Sequence, residues 1–233
     1  MRFFRPLAPV RALSFDLDDT LYDNRPVMVS AESGLLALLS QQLGAPINHQ
    51  RYQLARHQAL AAEPHLGQDV SRLRRATVAQ LALNLGWQRA AAEQLGRQAF
   101  DHFLALRNRV TVPAASHRLL DWLAARYPLV AITNGNVDVA AIGLAGYFRA
   151  ILHAGEGWPM KPAPPLFREA ERRLGLSGSA ILHVGDHADT DVRGALCAGW
   201  QAAWLDHGQT SLPRLLPTVA LERLEQLQPL LGG

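Results

Sequence analysis

Among 233 residues there is one lysine and one cysteine. A single cysteine, Cys197, excludes an internal disulfide. It sits in the small-residue run Gly194-Ala195-Leu196-Cys197-Ala198-Gly199, which suits close packing of a helix on a sheet and makes a reactive thiol an unneeded reading. No apolar run approaches the ~18 residues of a membrane-spanning helix. The opening Met1-Arg2-Phe3-Phe4-Arg5-Pro6 breaks too early for the apolar core of a signal peptide, so the expected location is the cytoplasm. A concentrated field of one charge sign is also missing. The net charge is +3 and the arginines are scattered, with Arg74-Arg75 and Arg172-Arg173 the only adjacent pairs, so no nucleic-acid stripe is expected. The scarcity of lysine is informative in the other direction. Twenty-two of the 23 basic residues are arginine, and chemistry that needs an ammonium has only Lys161 to use.

What is present is ordinary globular composition: 48% hydrophobic, 18% charged and 7% aromatic residues, too apolar for intrinsic disorder. Short apolar runs at Ala12 to Phe15, Leu129 to Ile132, Ala150 to Leu152, Ile181 to Val184 and Ala202 to Leu205 read as buried parallel strands. They alternate with helical stretches at Ser116 to Arg126, Pro165 to Leu174 and Thr190 to Ala198. The pattern predicts an α/β fold with a doubly wound parallel sheet. Residues 23–108 carry no convincing strand. Apolar residues there recur at helical spacing and predict three good helices and a weaker fourth around Tyr52 to Leu60. The expected division is therefore an α/β core of residues 1–22 and 109–233 with a helical insertion at 23–108.

In doubly wound sheets ligands bind beyond the carboxyl ends of the strands. Those ends are polar here: Asp16-Leu17-Asp18-Asp19-Thr20, Thr133-Asn134-Gly135-Asn136, Lys161-Pro162, and Gly185-Asp186-His187-Ala188-Asp189-Thr190-Asp191. Carboxylates converging from two strand ends repel one another unless a proton or a cation intervenes. Mg2+, which takes oxygen ligands and keeps some waters, suits such a site together with a substrate phosphate. The ammonium, the Thr133 hydroxyl and the free amides after it form a cradle for a dianion.

The ordered set Asp16-x-Asp18-x-Thr20, a threonine after a second strand, a lysine before proline, and Gly185-Asp186-x4-Asp191 resembles the four motifs of the haloacid dehalogenase-like superfamily. The helical insertion is similar to the superfamily's C1-type cap. Arg2 to Pro26, Val130 to Asn136 and Ile181 to Val192 resemble bacterial phosphatases of the flavin pathway, which act on flavin mononucleotide (FMN) and on 5-amino-6-(5-phospho-D-ribitylamino)uracil. The resemblance implies a Mg2+-dependent phosphomonoesterase working through an aspartyl-phosphate. Asp16 would be the nucleophile, and Asp18 the acid that protonates the leaving oxygen and then activates water. Thr133, Asn134, Gly135 and Lys161, with Asp16 and Asp18, would bind the phosphate. Asp16, the carbonyl of Asp18 and Asp186 would hold the metal, and Asp191 would support Lys161 or a metal-bound water.

Other readings compete. Another phosphatase of this superfamily would take phosphoglycolate, a sugar phosphate or a nucleotide. A phosphomutase would use the same groups. A dehalogenase normally lacks an acid at the position of Asp18, since halide leaves without a proton. A signalling receiver domain would be half this length and carry its aspartate after a middle strand. Among single residues, Asp191 could simply cap the helix after it. Asp19 and Asp189 are read as solvated or capping, His183 as an apolar-strand filler, His187 as a neighbour of the site and Trp158 as packing. His65, Arg72, Arg74 and Arg75 could reach a ribityl or ring group or form a solvated helix face. The expected partner is a small phosphate monoester, with no nucleic acid or membrane; oligomeric state is not legible.

Overall fold

The structure is a computed structural model, and it describes residues 1–155, 157–208 and 214–232. In chain order the first elements are β1 (Arg2–Phe3), β2 (Ala12–Phe15) and the helices α1 (Arg25–Leu43), α2 (His49–Ala62), α3 (Val70–Asn84) and α4 (Arg89–Arg107). Next come α5 (Ala114–Ala124), β3 (Leu129–Thr133), β4 (Ala150–His153), α6 (Pro165–Leu174) and β5 (Ile181–Gly185). The chain continues through α7 (Gly194–Cys197), β6 (Gln201–Leu205), β7 (Val219–Leu221) and α8 (Leu227–Leu231). It divides into two compact units, one of Met1–Asp23, Thr111–Gly135 and Val139–Gly233, the other of Asn24–Val110 and Asn136–Asp138.

The first unit holds a seven-stranded sheet of order β1-β7-β6-β5-β2-β3-β4, with helices on both sides. Every pairing is parallel except β1 with β7. All positions of β2, β3, β5 and β6 are buried, as expected of strands covered on both faces. The register sets Ser14 of β2 beside His183 of β5 and Val130 of β3. Strands β1 and β7, the outer two on one side of the sheet, lie outside the sequence expectation; two and three residues are too short to show alternation.

The second unit is a set of four helices around a core that includes Leu35, Leu39, Val78, Leu81, Leu95 and Phe103. Local signals explain its breaks. Helix α1 begins with Pro26 in its first turn and ends at Gly44, whose φ of 62° is the left-handed geometry glycine adopts without strain. The Asn48 side chain accepts from the Arg51 amide at the start of α2, and the Asp69 carboxylate accepts from the amides of Ser71 and Arg72 at the start of α3. Helix α2, expected as a weak element, runs a full 14 residues. Its buried stripe is Tyr52, Ala55 and Ala59, so small alanines hide a packing face that a search for large apolar residues underrates. The helix expected at Thr190 to Ala198 is instead a π-helical turn, Ala188–Arg193, followed by the short α7. No helix of the described residues is long and apolar enough to cross a membrane.

Candidate active site

The site lies within the first unit, past the carboxyl ends of β2, β3 and β5. Asp16 directly follows β2, and its amide donates to the Val184 carbonyl at 2.9 Å, which continues the ladder and fixes the start of the loop. Lys161, only 2% exposed, reaches in from the segment after β4. Its Nζ donates to Asp16 Oδ1, to Asp191 Oδ1 and to the Ile132 carbonyl, each at 2.7 Å. Three acceptors use all three ammonium hydrogens.

The backbone around Lys161 is fixed by a residue whose expected role was different. Asn134 was expected to offer its amide to phosphate. Its side chain also accepts from the Lys161 amide at 2.8 Å and donates to the Lys161 carbonyl at 3.0 Å, clamping that peptide from both sides. Thr133, 1% exposed, ends β3, and its hydroxyl accepts from the Gly135 amide at 2.9 Å. Position 135 has no room for a side chain. A Cβ there would lie 2.5 Å from Asp18 Oδ2 and 3.2 Å from Thr133 Oγ1. Asp18, half-buried, accepts from the Tyr22 hydroxyl at 2.7 Å. Between Asp18 and Thr20 the chain turns through Asp19, whose φ of 58° is rare outside glycine.

On β5's side, Asp186 accepts from the Thr20 hydroxyl at 3.2 Å, and its carbonyl accepts from the buried Trp204 indole at 2.8 Å. Asp191 is 2% exposed and does more than cap the following turn. Its Oδ1 takes Lys161, and also the Nε2 of His183 at 3.3 Å, while its Oδ2 takes the His187 amide at 3.0 Å. A Cβ on Gly185 would run into the Asp191 carboxylate, so the glycine is what lets that carboxylate lie against the strand end. Gly185 and Gly135 are thus a matched pair of close approaches.

The electrostatics follow from four carboxylates, one ammonium and burial. Burial raises the Asp16 pKa well above its ordinary value against the opposing pull of Lys161, and Asp191 and Asp18 push it the same way as burial. Asp186 is raised by burial and then by Asp191. Burial also works against the Asp191 carboxylate, but Lys161 and His183 outweigh it and hold its pKa down. Lys161 stays protonated because Asp16 and Asp191 together outweigh its own burial. Asp191 therefore has three donors, while Asp16 has Lys161 and Asp186 has the Thr20 hydroxyl. One ligand oxygen from each of Asp16, Asp186 and Asp191 falls within 4.8 Å of the others, the only such acidic group among the described residues. That donor set fits a hard divalent cation, which would supply the positive charge Asp16 and Asp186 are short of.

Several minor expectations need correction. His183 is no apolar filler: it is 1% exposed and both ring nitrogens have polar partners. Trp158, expected to pack, is 37% exposed beside a turn that pairs it with Gly155. Cys197 is exposed, and the close packing in its segment belongs to Gly194, against Phe167. Asp189, by contrast, is solvated as expected: it is exposed and paired with Arg193 on the following turn.

The chain has relatives among known proteins. A family profile for haloacid dehalogenase-like hydrolases matches residues 10–199. A 5-amino-6-(5-phospho-D-ribitylamino)uracil phosphatase, YigB, from Escherichia coli is 40% identical over 99% of this chain and 100% of its own length. A phosphoglycolate phosphatase from Neisseria gonorrhoeae is 29% identical over 94% of each chain. Among solved structures, one described as a 2-haloacid dehalogenase from Pseudomonas syringae aligns with a TM-score of 0.90 and 36% identity, covering 96% of this chain and 98% of its own. The chain belongs to the haloacid dehalogenase-like hydrolases, and within them it is a phosphatase.

Proposed function

We propose that the protein is a Mg2+-dependent phosphomonoesterase whose substrate is 5-amino-6-(5-phospho-D-ribitylamino)uracil, FMN or both, placing it in flavin metabolism and in the cytoplasm. The observation that carries the chemistry is the presence of Asp16, held by Lys161, together with a second carboxylate, Asp18, that lies close against Gly135. The full-length likeness to a ribitylaminouracil-phosphate phosphatase supports the substrate.

Asp16 attacks phosphorus in line, forming an oxygen–phosphorus bond while the ester oxygen–phosphorus bond breaks. Asp18, protonated at that moment, gives its proton to the departing alkoxide. It then takes a proton from water, which attacks phosphorus, breaks the bond to Asp16 and releases inorganic phosphate. The Thr133 hydroxyl and the Asn134 amide hold the phosphoryl oxygens as charge builds on them, the Lys161 ammonium adds its positive charge beside them, and Gly135, whose amide is given to Thr133, shapes the turn. Asp16, Asp186 and the Asp18 carbonyl would hold Mg2+, which would neutralise phosphate charge and favour the ionised form of Asp16. Asp191 supports Lys161.

Two competing readings have an observation behind them: phosphoglycolate as the substrate, from the Neisseria relative, and the dehalogenase chemistry described for a structural relative. Asp18 argues against the dehalogenase, because halide needs no proton to leave. A panel of FMN, the ribitylaminouracil phosphate, phosphoglycolate, sugar phosphates, nucleotides and a 2-haloacid tests both points. The expected result is phosphate release fastest from the first two and no halide release. Indifference to those two removes the flavin assignment, and halide release without phosphatase activity removes the mechanism.

A further inference from the structure

Beneath the active site a polar chain descends into the apolar layer of the sheet. His183 lies on β5 directly beside Ser14 of β2, and Ser14 is two residues before Asp16, on the same face of its strand. The imidazole is packed edge-on against Phe167 at 5.4 Å and Trp200 at 6.5 Å between ring centroids. An apolar side chain would fill this position without the cost of desolvating two nitrogens. Both nitrogens instead point along one line of contacts. Nδ1 is 3.0 Å from Ser14 Oγ, and Nε2 is 3.3 Å from Asp191 Oδ1.

The tautomer follows from the partners. Asp191 is ionised and only accepts, so Nε2 carries the hydrogen; Nδ1 then accepts from the Ser14 hydroxyl. The line Ser14, His183, Asp191, Lys161, Asp16 is thereby satisfied at each step: Ser14 donates to His183, His183 and Lys161 both donate to Asp191, and Lys161 donates to Asp16. Asp191 and Lys161 lie between a fixed imidazole and the nucleophile. Apart from Lys161 itself, the hydrogen bonds that set the plane of the Asp191 carboxylate come from His183 and the His187 amide.

We propose that His183 is a positioning residue for this phosphoryl transfer: through the Asp191 carboxylate it holds the Lys161 ammonium toward Asp16, with Ser14 fixing the imidazole. The inference rests on the phosphatase reading above. If it is right, removing the Nε2–H donor lets the carboxylate turn, the ammonium follows it, and turnover falls while substrate binding and the fold persist.

The test compares wild type, His183→Phe, His183→Gln and Ser14→Ala for kcat and KM of phosphate release from FMN with Mg2+, with Tm measured for each. His183→Phe keeps the packing and removes the donor; kcat should fall about tenfold to a hundredfold with KM nearly unchanged. Glutamine carries an amide N–H near the place of Nε2 and should recover most of that loss. Ser14→Ala should cost about threefold in kcat. A purely structural histidine would move Tm alone. The inference is overturned by His183→Phe with kcat within about twofold of wild type, or by His183→Gln as impaired as His183→Phe. If His183→Phe does not fold, Ser14→Ala decides, and unchanged kcat there overturns it. Failure of the underlying reading looks different: wild type releases no phosphate from any monoester, or Asp16→Asn still turns over.

Discussion

The two units bury different things. The helical unit's buried side chains are almost all apolar, with Thr77 and Arg107 the buried polar exceptions among the described residues. The α/β unit buries Ser14, Asp16, Thr133, Lys161, His183 and Asp191, and these six meet around the ends of three adjacent strands. Burying charge costs free energy unless it is paired and fully hydrogen-bonded, and a well-packed apolar replacement is often as stable or more so. The helical unit is therefore built mainly by packing. The other gives up some packing stability for a fixed arrangement of charge, which is what chemistry on a phosphate requires.

The largest expected effect breaks the charge arrangement while keeping the charge. Lys161→Arg should lower kcat by about a hundredfold or more, because a planar guanidinium cannot point three hydrogens at Asp16, Asp191 and the Ile132 carbonyl from one compact centre. Steady-state phosphate release measures it, and near-normal turnover would mean that a positive charge anywhere in the cavity suffices. Next comes the same insertion made in each unit. Gly185→Ala drives a methyl into the Asp191 carboxylate, and Gly96→Ala puts one 2.7 Å from the Arg75 carbonyl between α4 and α3. Overpacking should cost about 1–3 kcal/mol in both. Only Gly185→Ala should also lower kcat per folded molecule. Denaturant unfolding alongside kinetics separates the two, and equal kcat in both would erase the contrast between the units.

The smallest effect is a shift with pH. Burial first, with Asp191 and Asp18, raises the Asp16 pKa against Lys161, and Asp16 attacks only when ionised. Activity should therefore rise with pH through that pKa and fall below it. Mg2+ on the same carboxylates favours their charged form, so raising its concentration should move the acid limb of kcat/KM to lower pH. An acid limb at the same pH whatever the Mg2+ concentration would separate Asp16 from the metal.

Why some of this was legible in the chain and some was not follows from where the information sits. Residues 12–15, 129–133 and 181–185 are mostly apolar runs, interrupted only by Ser14 and His183, and each gives way abruptly to polar residues, so strand ends and their chemistry can be located from order alone. Lys161 stood out because it is the only lysine. Contacts across the sheet leave no such trace. Lys161 and Asp16 are 145 positions apart, His183 and Ser14 169 apart. The clamp of Asn134 on Lys161 and the line from Ser14 to Asp191 depend on register, which a parallel sheet sets through its whole topology. His183 could have been suspected from one signal: a histidine three residues before Asp186 in an otherwise apolar strand. The β1 and β7 edge was invisible because its strands are too short to carry a pattern.

The central claim is that Asp16 is the phosphoryl acceptor. Rapid mixing of the Mg2+-loaded protein with FMN, acid quenching within a turnover and mass spectrometry of the peptides test it directly. The account predicts a phosphoryl group on Asp16 that appears and decays with phosphate release. Full turnover with no adduct, or with the adduct on another residue, would contradict it.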